Sequence, residues 1–185
     1  SDLFSGNKIN LENEIELLSS STILSKVVEK QNLNTNFYSI GNIMTSRVTH
    51  LPFQFEQLIS NDSIKEELVF DIYFNDDGIE IIDIKTDTTY LFNSYTTHTI
   101  SHDLPFNIES DKINFSSTNE NTHKVVFSST KNTVSQLKKK ISLSKVGKES
   151  DIIALQMDNE SSGYSEIVLN TLIDVFNQDG VSDRQ

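Results

Sequence analysis

The sequence predicts an α+β fold, in which helices pack on a mixed β-sheet. Apolar residues spaced three and four apart mark helices near both ends of the chain, whereas apolar residues that alternate with polar ones mark short strands in the middle. No internal repeat of 20–50 residues is visible. At 185 residues, of which 36% are hydrophobic, the chain is expected to form a single domain, 1–185, with a real core.

The first elements are predicted to be two helices. Asn10 can cap a helix over 11–18, and a second apolar stripe continues over 23–30. Between them, Ser19, Ser20 and Ser21 weaken the helix because their hydroxyls compete for backbone hydrogen-bonding groups. The sequence therefore predicts two helices that meet at a serine kink.

The middle of the chain is predicted to form short strands. The clearest is a hairpin, in which 68–74 leads into the turn 75–78 and 79–84 returns. The Asp77-Gly78 pair is expected to supply the positive φ values of that turn. An extended segment is expected over 37–47, and further short strands at 51–55, 90–92, 104–108 and 124–128.

The last third of the chain is predicted to be helix, strand, strand, helix. A short helix from Ser129 or Thr130 to Lys140 precedes strands at 141–146 and 151–157, which Gly147 and its neighbours separate. From Tyr164 to Asn177 the apolar spacing changes to three and four, which predicts the final helix. The rest of the chain is expected to complete the layer around these strands.

Charge and composition exclude several classes of function. The net charge of −12 argues against nucleic acid and against anionic lipid as partners, because both require a basic surface. The run from Lys138 to Lys140 fits the last turn of a helix, where cations complement the helix dipole. Zero cysteines exclude disulfides and thiolate ligands, and no stretch approaches eighteen consecutive apolar residues.

No motif for chemistry is complete, so the sequence predicts no catalytic residue, metal or cofactor. A phosphate-binding loop and a Gly-x-Ser-x-Gly elbow are both missing. Placing Gly78 at the sixth position of a calcium loop puts Tyr73 and Ile84 where carboxylates are required, so a hairpin turn is the better interpretation. His98 and His102 are four apart, which would suit zinc on a helix, but their surroundings favour a loop.

Both ends of the chain resemble one family. Residues 13–34, which read NEIELLSSSTILSKVVEKQNLN, are similar to the two opening helices of the Wzz-type chain-length determinant domain. Residues 143–155, LSKVGKESDIIAL, and the helix 165–176, SEIVLNTLIDVF, are similar to its closing strands and helix. The middle of the chain matches only by its strand pattern, and Ser19 and Ser20 depart from the family's usual Lys-Ser or Arg-Ser.

The resemblance implies a polysaccharide co-polymerase, an oligomeric protein on the periplasmic face of the bacterial inner membrane. Such proteins regulate the length or export of a surface polysaccharide, whether capsule, exopolysaccharide or O antigen, together with the polymerase and export machinery. Transmembrane helices would flank this segment, which is then part of a longer protein, and some relatives carry a separate cytoplasmic tyrosine kinase. The segment itself is expected to be non-catalytic, with both of its ends directed at the bilayer.

A ring of subunits needs one surface that meets a different surface on the next copy. Polar residues on the first two helices are candidates for that contact: Glu12, Glu16, Lys26 and Lys30. Surface solubility explains the same residues equally well. Two other functions remain open, a small carbohydrate-binding or carbohydrate-active domain, and an adhesion or scaffold domain.

Overall fold

A computed structural model describes residues 11–41, 45–48, 50–97, 103–110, 122–147, 151–159 and 161–182. The chain divides into two compact units. The terminal unit comprises Ser1–Leu33 and Lys131–Gln185, and the central unit comprises Asn34–Thr130. The central unit is thus inserted between the two segments that build the terminal one.

The described residues contain helices at both ends and strands between them, which confirms the predicted α+β class. The helices are α1 (Leu11–Leu18), α2 (Ser21–Lys30), α3 (Thr130–Lys140) and α4 (Ser162–Ser182). The strands are β1 (Thr35–Ile40), β2 (Thr45–Val48), β3 (Gln54–Gln57), β4 (Leu68–Asn75), β5 (Gly78–Asp83), β6 (Thr88–Phe92), β7 (Phe106–Glu109), β8 (Thr122–Phe127), β9 (Ile141–Lys145) and β10 (Ile153–Met157).

The predicted kink between α1 and α2 is confirmed, and serines form it. Ser19 Oγ donates hydrogen bonds to the carbonyls of Ile15 at 2.9 Å and Glu16 at 3.1 Å, which closes the end of α1. Ser20 then caps α2, because its Oγ accepts a hydrogen bond of 3.2 Å from the Ile23 amide. Asn10, the predicted cap of α1, lies outside the described residues.

One hydrophobic core holds the terminal unit together. The two segments of the unit contribute to the same cluster, so neither buries its apolar face without the other. The strands β9 and β10 pair antiparallel and lay their apolar residues on this cluster. Its buried members are Leu18, Ile23, Leu24, Val27, Val28, Leu33, Val134, Leu137, Tyr164, Val168, Leu172 and Val175.

The closing elements match their predicted order but differ in extent. The strands β9 and β10 form where alternation predicts them, and α4 continues to Ser182, beyond the predicted end at Asn177. We expected the rest of the chain to complete the layer around β9 and β10. Among the described strands these two pair only with each other. Helices from both ends of the chain complete the layer, because the apolar residues of β9 and β10 pack on the cluster that those helices form.

The central unit is built on a six-stranded sheet in the order β2-β1-β8-β4-β5-β6, with β3 and β7 forming a second, two-stranded sheet. All pairs between the described strands of this unit are antiparallel. Aromatic rings fill the core of the unit: Phe55, Phe70 and Phe127 each have their ring centroids within 6.2 Å of another phenyl ring. Since β1 and β8 are neighbours, the two chain ends of the unit leave it side by side.

The β4–β5 hairpin is confirmed, but its turn chemistry differs from the prediction. Asp76 and Asp77 form the turn, because Asn75 pairs with Gly78. Neither aspartate has a positive φ, and only Gly78 does, at 151°. The reason for glycine there is steric as well: a Cβ on Gly78 would fall 1.9 Å from the carbonyl oxygen of Phe92 on β6.

Candidate functional site

The predicted interface residues of the first helix form an acidic ridge. Glu12 and Glu16 lie one turn apart on α1, and both are exposed. Glu14, between them in sequence, is partly exposed, and α1 contains no basic residue. Glu12 and Glu14 lie in the first turn of α1, where carboxylates interact favourably with the helix dipole, so these two serve the fold as well as any partner.

The predicted interface residues of the second helix are basic. Lys26 and Lys30 lie one turn apart on α2, and both are exposed. Lys26 forms an ion pair with Asp179 on α4, where the two side chains are 47% and 38% exposed. The structure thus separates the four predicted residues into an acidic pair on α1 and a basic pair on α2.

Asp179 is the residue of this surface that sequence reasoning missed. It lies 153 positions from its partner Lys26, and no local pattern joins two residues so far apart. An exposed ion pair of this kind contributes at most about 1 kcal/mol, so it orients α2 and α4 more than it stabilises them. Lys30, the last residue of α2, is exposed.

An open apolar cleft lies in the terminal unit between α1, α2, α3 and β9. Its volume is about 260 Å³. Lys138 stands at the cleft and donates a hydrogen bond of 2.9 Å to Ser21 Oγ at the start of α2. The cleft is lined by Leu18, Ser19, Leu24, Lys138, Ile141 and Leu143.

A second cleft, of about 210 Å³, lies on the β3–β7 sheet of the central unit. Two carboxylates line it, Glu56 and Glu109, with the amides Gln54 and Asn107 opposite them on the partner strands. Asn107 Nδ2 donates a hydrogen bond of 3.0 Å to Glu56 Oε2. Both glutamates are exposed, so this carboxylate pair sits on an open, hydrated strand surface.

The outer face of the six-stranded sheet carries a row of charged and aromatic residues. Strand register places Arg47, Tyr38, Lys124 and Asp71 side by side across β2, β1, β8 and β4. Directly opposed residues of antiparallel strands share a face. Lys124 Nζ lies 2.7 Å from Asp71 Oδ1, and their side chains are only 28% and 14% exposed. Arg47 donates through Nη2 to Asn36 Oδ1 on β1.

Within the part of the chain that the structure describes, the histidines do not form a metal site. His123 is buried on β8, where its ring meets those of Phe53 at 5.2 Å and Phe74 at 5.9 Å, edge to face. It is therefore a packing residue of the aromatic core. His98 and His102 lie outside the described residues, within which no group of three or more potential metal ligands occurs.

Comparison with known proteins gives no family for this chain. No protein-family model matches it, and no curated protein matches it either. Among the described helices, none is both long enough and apolar enough to cross a membrane.

Proposed function

We propose that this chain is a non-catalytic, periplasm-facing domain of a bacterial inner-membrane polysaccharide co-polymerase. It would assemble into a homo-oligomeric ring and, with the polymerase and export machinery, regulate the length of a surface polysaccharide. Membrane helices flanking the segment would hold the copies together. The proposal originates in the resemblance of residues 13–34 and 143–176 to the Wzz-type domain.

One observation carries the proposal: the two resembling stretches lie in the same compact unit and share one core. They are separated by about a hundred residues of sequence, and the central unit occupies that interval. Val27 and Val28 of α2 are fully buried in the cluster that also buries Val168 and Leu172 of α4. A chance likeness at two distant places would not require the two stretches to fold together.

The helical surface supplies groups that a ring contact needs. In a ring, one side of each subunit meets the opposite side of the next. The acidic ridge of Glu12 and Glu16 on one copy would meet Lys30 on the neighbouring copy, because Lys26 already pairs with Asp179. Such contacts are weak between free copies and are strengthened when membrane helices raise the local concentration.

Deleting the parent gene tests the function. The length distribution of the surface polysaccharide, resolved on a gel, is expected to become shorter or to lose its preferred length, and the wild-type gene is expected to restore it. An unchanged distribution in the deletion strain would overturn the proposal.

Cysteine cross-linking in the full-length protein tests the contact separately. The 185 residues contain no cysteine, so each introduced cysteine is the only thiol of this segment, and the full-length protein without it gives the background cross-linking. Copies with Glu16→Cys mixed with copies with Lys30→Cys are expected to form disulfide-linked pairs, whereas Glu16→Cys alone is not. Lys65→Cys, an exposed position in the central unit, is the control. Equal cross-linking of the control would place the contact elsewhere.

A further inference from the structure

The strand β6, Thr88–Phe92, is one edge of the six-stranded sheet, and among the described strands it pairs only with β5. Its five residues include no charge and no proline. Leu91 on this strand is 69% exposed, more than any other large apolar side chain in the described part of the chain. Natural sheets protect their edges with charges, prolines or covering segments, because an open edge accepts another strand. β6 therefore lacks the usual protection.

The unused hydrogen-bonding groups of this edge belong to Thr89 and Leu91. The amide of Ile84 donates to the carbonyl of Val69 at 3.0 Å, and these two residues continue the β4–β5 register by one pair. Successive residues of an antiparallel strand turn their backbone groups to alternate sides, so even-numbered residues of β5 bond to β4 and odd-numbered ones to β6. Tyr90 is opposite an odd-numbered residue, so its groups face β5. Those of Thr89 and Leu91 therefore point outward, and no loop or turn of the described chain bonds to them.

An edge of this kind fits a second copy of itself. When a two-fold axis passes beside Tyr90, Thr89 of each copy lies opposite Leu91 of the other. The two residues of such a pair exchange both of their backbone hydrogen bonds, so the outward groups of both residues gain partners. Directly opposed residues also share a face of the sheet, so Leu91 packs against Thr89 of the other copy.

The distribution of charge also favours contact between copies at this strand. Two chains that each carry −12 repel one another, so their contact needs a surface with few acidic residues. In the two-fold arrangement Asp87, just before β6, lies nearest Asn93 of the other copy. Glu80 is opposite Leu91 on β5, one strand away from the contact. In this register no carboxylate of one copy lies opposite a carboxylate of the other.

We propose that β6 pairs antiparallel with β6 of a second copy, which joins two six-stranded sheets into one. Two short strands form a contact smaller than a standard protein interface, so the dimer is weak and is strengthened when the local concentration rises. The contact lies in the central unit. It does not depend on the ring contact proposed above, which uses helices of the terminal unit.

Sedimentation equilibrium of the purified chain tests the dimer. The chain is expected to be monomeric at micromolar concentration and increasingly dimeric toward millimolar concentration. Leu91→Lys places a charge on the edge and is expected to weaken dimerisation at least tenfold. Thr89→Pro is expected to do the same, because it removes an outward N–H that the sheet itself does not use. Leu58→Lys, which replaces another exposed leucine of the central unit, should leave dimerisation unchanged.

Disulfide formation tests the register of the pairing. Chains with Thr89→Cys are mixed with chains with Leu91→Cys, and the chain has no cysteine of its own. Residues of a hydrogen-bonded pair have Cα atoms about 5.5 Å apart, within the range that a disulfide spans, whereas two copies of the same residue lie diagonally at about 7–8 Å. The mixture is therefore expected to cross-link, and each variant alone far less.

Three results would overturn the pairing. A chain that stays monomeric at every concentration would do so, and the open edge would then fit a strand of a different protein. An equal loss in Leu58→Lys and Leu91→Lys would also do so, as would equal cross-linking of the mixture and of each cysteine variant. Circular dichroism and thermal melting establish that the variants are folded. If Thr89→Pro fails to fold, Leu91→Lys serves alone, since it changes only an exposed side chain.

The outcomes separate this inference from the proposed function. Dimerisation with the expected pattern supports the pairing whether or not deletion of the gene alters polysaccharide length. An altered length in the deletion strain together with a monomeric chain would retain the proposed function and remove the pairing.

Discussion

Gln31, immediately after α2, donates a hydrogen bond of 2.7 Å from Nε2 to the hydroxyl of Thr171 on α4. The same hydroxyl donates to the carbonyl of Ile167, one turn earlier, also at 2.7 Å. Thr171 is only 4% exposed, so its hydroxyl is satisfied from both sides inside the helix interface. This polar link joins the beginning of the chain to its end in the terminal unit.

Thr171→Val tests that link. Valine keeps the shape of threonine but leaves Gln31 without its acceptor, so we expect a loss of about 1 kcal/mol in the free energy of unfolding. Urea denaturation followed by circular dichroism measures it. Thr22→Val, at an exposed position of α2, is the control and should change stability far less. Equal losses in the two variants would show that the hydrogen bond contributes nothing.

Gly78→Ala is expected to be severely destabilising. The added methyl group would meet the Phe92 carbonyl oxygen at 1.9 Å and would also strain a φ of 151°, for a combined loss of about 3 kcal/mol. Gly147→Ala is the matched control, because Gly147 has a φ of 79° but open space around it. It should lose only about 1 kcal/mol. A similar loss at both glycines in urea denaturation would contradict the steric argument.

Ser20→Ala removes the cap of α2 and is expected to cost about 1 kcal/mol of stability. Ser20→Asp should retain most of that stability, because a carboxylate accepts the same amide hydrogen bond and suits the helix N-terminus. Ser19→Ala, at the neighbouring exposed serine, should fall within about 0.5 kcal/mol of wild type. Thermal melting of the three variants ranks their stabilities. A larger loss for Ser19→Ala than for Ser20→Ala would show that the Ser19 hydrogen bonds to the end of α1 stabilise the kink more than the Ser20 cap does.

The Lys26–Asp179 and Lys124–Asp71 ion pairs are expected to differ in strength because they differ in burial. Lys26→Met breaks the exposed pair with Asp179 and should cost less than about 1 kcal/mol, with a loss that shrinks at high salt. Lys124→Met leaves Asp71, which is 14% exposed, without its cation and should cost about 2 kcal/mol at low and high salt alike. Urea denaturation at two salt concentrations distinguishes them. Equal, salt-sensitive losses would contradict this assignment.

Local sequence signals predicted the elements of this fold well. The Ser19–Ser21 kink, the hairpin around Asp76 and Asp77, and the helix that ends at Lys140 all follow from side-chain chemistry within a few residues. The details failed where a distant strand intervened. In this turn only Gly78 has a positive φ. Phe92 on β6 also approaches its backbone closely enough to exclude a side chain, and a turn rule cannot include a strand more than ten residues away.

The candidate surfaces were predictable only in part. Helical spacing identifies Glu12, Glu16, Lys26 and Lys30 as polar residues of α1 and α2, and all four are exposed; their role in an interface stays a prediction. Alternation along β1, β4 and β8 indicates which residues face outward. It does not show which residues of neighbouring strands lie opposite each other. The row of Arg47, Tyr38, Lys124 and Asp71 across four strands therefore became visible only when the strand pairing was known.

By itself, the sequence determined which segments become helices and strands and which side of each is apolar, because these depend on spacing and on hydrogen bonds between near neighbours. Only the tertiary structure decided that the first and last segments share one core while the middle forms a unit of its own. It also decided that Lys26 meets Asp179 and that Tyr38 lies between two cations. Such contacts join residues far apart in the chain, and they form only when burial of complementary apolar faces brings those segments together.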